Sequence, residues 1–263
     1  LGNICNVNQG IVTGADKVSK KHIDKYRIKA EIGNGIFVLS DKDISNLNLS
    51  KKDREILKPW FKNSDIFRWG TLLSTTEKLI YADKRLRNLD GNKLKEHLEK
   101  FKKILDDSTV NSPYLHRPRD INFDSAKIVA PQRSPRNTFG YNEIPWYASA
   151  DVYFITQKDE NVSLKYILAL LNSKLYYLWL YYRGKRKGEI LELTAKPLSE
   201  IPIKIVPQMD QQPFIDLVDQ ILDAKKTNHA ADTTAWEKEI DQLVYKLYEL
   251  TDEEIAIIEN GSI

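Results

Sequence analysis

The sequence has one cysteine, Cys5, and four histidines, His22, His97, His116 and His229. A single thiol cannot close an internal disulfide, and the histidines show no ligand spacing. Neither a disulfide framework nor a zinc site is therefore expected. No apolar run approaches the roughly 20 residues that a membrane-spanning helix needs. The longest, Tyr166 to Tyr182, is broken by Asn172, Ser173 and Lys174. No basic-then-apolar leader opens the chain, and residue 1 is leucine, as expected of a piece of a longer protein. No internal repeat is visible. These absences point away from a membrane and towards a reducing cytoplasm.

What is present suits a globular chain with a sizeable core. The 263 residues (30.5 kDa) are 41% hydrophobic and 29% charged, which fits one large domain or two ordinary ones and excludes disorder. Charge is unevenly spread. The net charge is +3, but from Pro207 onward 4 basic residues face 13 acidic ones, a net of −9, leaving +12 on residues 1–206. A basic body with an acidic tail suits a polyanion partner for the body. A solvated lysine-rich surface would give the same balance.

Short β-type runs bounded by turn residues predict strands at 10–13, 35–39, 79–82, 127–130, 152–156 and 201–206. A helix is predicted over 50–57, capped by Ser50 with Asp53 three residues on and stopped by Pro59. Leu94, Leu98, Phe101 and Leu105 fall at helical spacing within 91–105. Ser163 caps a long helix to about Tyr182, with Tyr166, Leu170, Ser173 and Tyr177 on one face. In the tail, Phe214, Leu217, Val218, Ile221 and Leu222 mark one amphipathic helix, and Trp236, Ile240, Leu243, Val244, Leu247 and Leu250 a second. Thr251 opens a further turn.

Three patterns resemble catalytic motifs without their context. Asn111-Ser-Pro-Tyr114 is similar to the Asn-Pro-Pro-Tyr loop of amino-group DNA methyltransferases, but its second residue differs and no glycine-rich cofactor loop precedes it. Gly33-Asn-Gly35 lacks a third glycine and leads into a strand, so it reads as a turn. Asp124 and Lys127 have no acidic partner at the spacing a metal nuclease would need.

Two basic stretches carry more information. Residues 113–147 interleave His116, Arg117, Arg119, Lys127, Gln132, Arg133, Arg136 and Asn137 with Phe139 and Tyr141. Arginine can pair guanine edges or phosphates bidentately, and Gln or Asn can match adenine. An arginine network bonding loop carbonyls would use the same residues. In the second stretch, five cations from Lys174 to Lys187 meet no acid, and Arg183-Gly-Lys-Arg-Lys-Gly188 places Lys185, Arg186 and Lys187 between glycines. Phosphate contact is the natural use of such a loop; a solvated hairpin or helix exit is the alternative.

Taken in order, several segments resemble the C-terminal target-recognition region of TaqI-like DNA methyltransferases and type IIG restriction–modification enzymes, itself similar to type I restriction specificity subunits. They are Gly10-Ile-Val-Thr-Gly-Ala-Asp-Lys17, Leu57-Lys-Pro-Trp-Phe-Lys-Asn-Ser-Asp-Ile66, Leu79-Ile-Tyr81, Tyr114-Leu-His-Arg-Pro-Arg119, Lys127-Ile-Val-Ala-Pro-Gln-Arg133, Leu171-Asn-Ser-Lys174 and Leu198-Ser-Glu-Ile-Pro-Ile203. The resemblance implies a module that recognises double-stranded DNA in a prokaryotic cytoplasm and is not itself an enzyme. The methyltransferase domain, with its S-adenosylmethionine, and any nuclease with Mg2+ would lie N-terminal to it in the parent chain.

The expected fold is α/β of the mixed α+β kind. Residues 1–206 would form a short-stranded mixed sheet with packed helices, and residues 207–263 an acidic helical segment on the body or on the methyltransferase domain. The expected DNA-binding set is Thr13, Lys17, His116, Arg117, Arg119, Gln132, Arg133, Arg136, Asn137, Tyr141, Lys185, Arg186 and Lys187, with no catalytic or metal-binding residue. RNA or single-strand binding is the main rival, since the aromatics could stack bases. A third reading, a methyltransferase in its own right, requires binding of S-adenosylmethionine by this chain. If the body binds phosphates, the logarithm of affinity should fall against the logarithm of salt by roughly 0.9 per phosphate neutralised. Tight binding with a flat salt dependence in a duplex titration would exclude a polyanion partner.

Overall fold

A computed structural model describes residues 1–82, 92–106, 119 and 121–260. The strands are β1 (Cys5–Gln9), β2 (Val38–Leu39), β3 (Leu57–Phe61), β4 (Lys78–Ile80), β5 (Lys127–Pro131), β6 (Arg133–Ser134), β7 (Gly140–Asn142), β8 (Tyr147–Ala148), β9 (Val152–Gln157), β10 (Arg186–Lys187) and β11 (Ile190–Glu192). The helices are α1 (Lys20–Tyr26), α2 (Asp41–Asn46), α3 (Lys51–Ile56), α4 (Lys93–Glu99), α5 (Lys102–Asp106), α6 (Leu164–Asn172), α7 (Lys174–Arg183), α8 (Ala195–Ser199), α9 (Gln208–Thr227), α10 (Thr234–Leu247) and α11 (Asp252–Asn260). The architecture is the mixed α+β kind expected.

The middle layer is an antiparallel sheet in the order β1-β9-β5-β7. Successive strand residues point to opposite faces, and both faces here are apolar. Ile128, Ala130, Tyr153 and Ile155 pack under the helical layer of α6, α7, α9 and α10. Val129, Val152 and Phe154 face a second sheet, ordered β2-β4-β3-β8, with Phe37, Trp60, Phe61, Leu79 and Trp146. The rings of Phe61 and Trp146 stack there at 4.8 Å. A near-continuous apolar run is what a strand buried on both faces requires.

Lys127 opens β5 and is fully buried. Its ammonium donates to Ser125 O at 2.6 Å, Asn142 Oδ1 at 2.9 Å and Ile144 O at 2.7 Å. Burial lowers its pKa to about 8. All three donors of a lysine are thus engaged, and Lys127 pins the loop after β7 instead of meeting a partner.

The acidic segment joins the same core. Phe214, Leu217, Val218, Ile221, Ile240 and Val244 lie in the cluster that holds α6 and the central sheet. Gln211 of α9 accepts from Ser163 N at 2.9 Å and donates to Asn161 O and Val206 O at 2.8 and 3.0 Å.

Several sequence expectations are corrected. The helix predicted over 163–182 is two helices. Ser173 sits between them with ψ 162; its hydroxyl donates to Leu170 O at 2.8 Å and accepts from Tyr176 N at 3.4 Å. The helix over 91–105 likewise divides into α4 and α5. Residues 201–206 form no strand. Pro202 has no N–H to offer a ladder, and tyrosines serve the backbone there: Tyr176 and Tyr166 donate to Pro202 O and Lys204 O at 2.6 and 2.7 Å, and Lys204 N donates to the Tyr248 hydroxyl at 3.1 Å. Residues 10–13 form no extended strand; among the described residues Ile11 makes an isolated bridge to Ser149. The strand β1 had no β-rich signal, because Asn6, Asn8 and Gln9 make up three of its five residues. By contrast, Ser50 and Asp53 form the reciprocal cap predicted for α3.

Burying six tail side chains contributes about 1.5–3 kcal/mol each, together comparable to the whole stability of an ordinary domain. A chain ending at Val206 should therefore lose cooperative unfolding and aggregate. Size-exclusion and thermal melting check this; a soluble, cooperatively melting truncated chain would show that the tail is dispensable to the core.

Candidate nucleic-acid interface

The two basic stretches, some fifty residues apart in sequence, form one structure. β10 and β11 make a hairpin, with Lys187 opposite Ile190 across a two-residue turn. Gly188 takes φ 62 at its first position, a conformation open to glycine at little cost. β11 then pairs with β6, Leu191 opposite Ser134 and Glu192 opposite Arg133. The result is a three-stranded ribbon, β10-β11-β6. It is anchored by Leu191, which is buried in the core, and by Gln132, whose N donates to Asp151 O at 2.7 Å and whose O accepts from Leu193 N at 2.9 Å.

Arg133, Arg136, Lys185, Arg186 and Lys187 are all exposed on or beside this ribbon. Glu192 pairs with Arg133 Nε at 3.5 Å and with Lys185 Nζ at 2.8 Å. The Arg186 guanidinium lies 3.7 Å from the centre of the Tyr181 ring, a cation–π stack that holds it flat. The Tyr181 hydroxyl in turn donates to Glu189 at 2.8 Å. Arg119 approaches from the end of β1, its Nε donating to Gly10 O at 2.9 Å and its Nη2 to Gln9 Oε1 at 2.7 Å.

Other expected residues lie elsewhere. Asn137 is buried, its amide nitrogen donating to Leu171 O and Ser173 O at 2.8 and 2.9 Å. Tyr141 lies on the helical side; its hydroxyl donates to Glu143 at 2.6 Å in a cleft shared with Asp219 and Asp223. Burial and that carboxylate raise its pKa. Thr13 and Lys17 border a separate cleft of about 830 Å³ that includes Asp151. There the Thr13 hydroxyl donates to Asp16 at 2.5 Å, and Lys17 and Lys62 both pair with Glu77, at 2.5 and 2.9 Å. His116, Arg117 and the Asn111-Ser-Pro-Tyr114 motif lie outside the described residues.

The ribbon-bearing loop is held from behind by a buried polar cluster that sequence reasoning missed. Arg68 donates to Glu237 Oε2 at 2.9 Å, to Asn137 O at 3.2 Å and to Asn172 Oδ1 at 3.3 Å. Asn172 pairs with the backbone of Phe139 in both directions, accepting from its N at 3.1 Å and donating to its O at 2.9 Å. Asp241 of α10 accepts from Lys174 N at 2.9 Å, closing the first turn of α7. Burial pushes the Asp241 carboxyl up to about 6. Glu192 and Tyr181 were also missed. Their only signal was position: Glu192 is among the first acids after the run of cations, and Tyr181 lies five residues before Arg186.

A profile of the TaqI-like C-terminal specificity domain matches residues 21–203. The type II methyltransferase M.HindII of Haemophilus influenzae strain Rd is 28% identical over 219 residues, covering 78% of this chain and 38% of that protein. The type II methyltransferase M.HincII of Haemophilus influenzae is 45% identical over 60 residues, 22% of this chain and 12% of its own length. The fold is similar to part of the type IIL restriction-modification enzyme MmeI, solved in complex with DNA, with a TM-score of 0.69 at 13% identity over 97% of this chain and 34% of that one. The chain thus spans well under half the length of each.

Asp241 supplies a pH test of the polar cluster. Its folded pKa, about 6, lies above the ordinary 3.8, so between these values the folded state holds more protons than the unfolded state. Its contribution to stability falls as pH rises through that window. Asp241→Asn removes the titration. From pH 4 to pH 6 the wild type should lose ground to the variant by about 2 kcal/mol in denaturant unfolding; a difference independent of pH would show that this carboxyl is not perturbed.

Proposed function

The chain belongs to the family of TaqI-like C-terminal specificity domains, and from that premise we propose that it reads duplex DNA through the face carrying β6, β10 and β11. The observation that carries this is the ribbon itself, which gathers cations from both basic stretches onto one stiff element. Phosphate contacts set position and base-edge contacts set sequence. Lys185, Arg186 and Lys187, on the outer hairpin, hold phosphates. Arg133 and Arg136 reach base edges from the proline-stiffened loop, with Gln132 beside them and Arg119 at the flank. Thr13 and Lys17, at the adjoining cleft, and His116 and Arg117, by their place in the sequence, complete the proposed surface. Asn137 and Tyr141 do not: the first is buried and the second is bonded to Glu143 on the helical side.

The acidic helices carry a net charge opposite to the body and stay off the phosphates. The parent protein, on this reading, is a site-specific methyltransferase of a restriction–modification system. It binds S-adenosylmethionine, and Mg2+ where it cuts, through parts outside this chain.

Arg133→Ala or Arg136→Ala should narrow the gap between preferred and scrambled duplexes by roughly 1–3 kcal/mol. Replacing Lys185 and Lys187 together should weaken both duplexes nearly equally and flatten the salt slope by about one to two. Affinities across a salt series decide. Selective lysines and uniform arginines would reverse the two roles, and single-stranded DNA competing as well as duplex would overturn the reading.

A further inference from the structure

Glu192 stands among cations on the very face assigned to a polyanion. Its side chain is only 11% exposed, whereas those of Arg133 and Lys185, which it bridges, are 58% and 62% exposed. Its backbone N donates to Lys185 O at 2.7 Å, and it faces Arg133 across β6 and β11. The carboxylate is therefore held by the ribbon, while the two cations are free at their outer ends. For plain phosphate binding such a carboxylate is unfavourable, since it repels phosphate and ties down two cations.

For base readout the same arrangement is useful. Arginine offers two hydrogen-bonding edges, one through Nε and one through its pair of terminal amino groups. With Nε turned to Glu192, the terminal pair remains for a bidentate base contact. Fixing the plane beforehand also reduces the side-chain entropy lost on binding.

Resting on the DNA-reading role given to this face, we propose that Glu192 is a specificity-determining positioning residue. It aims Arg133 at base edges and restrains it from collapsing onto phosphates.

The test uses the full chain and a pool of duplexes randomised at the centre, from which the wild type enriches its preferred sequence. Glu192→Gln keeps the shape and removes the charge. It should bind random duplex several-fold tighter, steepen the salt slope by about one, and lower the preferred-to-random affinity ratio about tenfold, with an unchanged melting midpoint. Arg133→Lys should lower that ratio similarly, and adding Glu192→Gln to it should lower the ratio no further, because both act through one guanidinium. An unchanged ratio and slope in Glu192→Gln would overturn the proposal. So would uniform weakening on all sequences, which marks a packing role, or additive losses in the double variant. If the wild type enriches no sequence at all, the DNA-reading role itself fails and Glu192 with it.

Discussion

Arg68 joins three parts of the chain that are remote in sequence. Its guanidinium binds Glu237 in α10, the backbone of Asn137 behind the ribbon, and Asn172 at the end of α6. Drawing a guanidinium partly out of water is unfavourable unless its donors are matched, and here the matching groups for the half-buried Arg68 come from the loop, the helical layer and the acidic segment together. None of these could shift alone without costing that guanidinium a partner. The exposed cations of the ribbon thus project from a loop whose rear side is fixed.

That arrangement explains the Leu171-Asn-Ser-Lys174 segment. Asn172 acts as a backbone surrogate for Phe139, Ser173 caps one helix and begins the next, and Lys174 N meets Asp241. Each role is a hydrogen-bonding task at a helix junction. The same holds for Lys127, which looked like a surface cation and is a buried clamp. Several family-like segments in this chain therefore mark the framework, while Lys185, Arg186 and Lys187 lie outside them.

The core strands were legible because 127–130 and 152–156 are apolar on both faces, which the middle of three layers demands. The break at Ser173 was not, since the apolar periodicity runs through it and only the serine's double capping interrupts the helix. Site composition was legible as two basic stretches. Their union was not, because strands of two or three residues carry no periodicity, and their pairing is decided by Leu191 reaching the core and by Gly188 turning the hairpin. Arg133 and the lysines stood out by charge; Glu192, which pairs with Arg133 and Lys185, did not, because a glutamate beside a cationic run has no pattern of its own.

The ribbon's strand order bears on how such a chain could change what it recognises. β6 comes from one stretch of sequence and β10 and β11 from another, with α6 and α7 between them. A crossover between related genes that exchanged only residues 132–137 would import a new arginine without the strand and carboxylate that face it. On the proposed reading of the ribbon, the inherited unit of recognition is a discontinuous pair of segments. Recombination would best preserve function by exchanging the whole span from β5 to β11, or by leaving it intact.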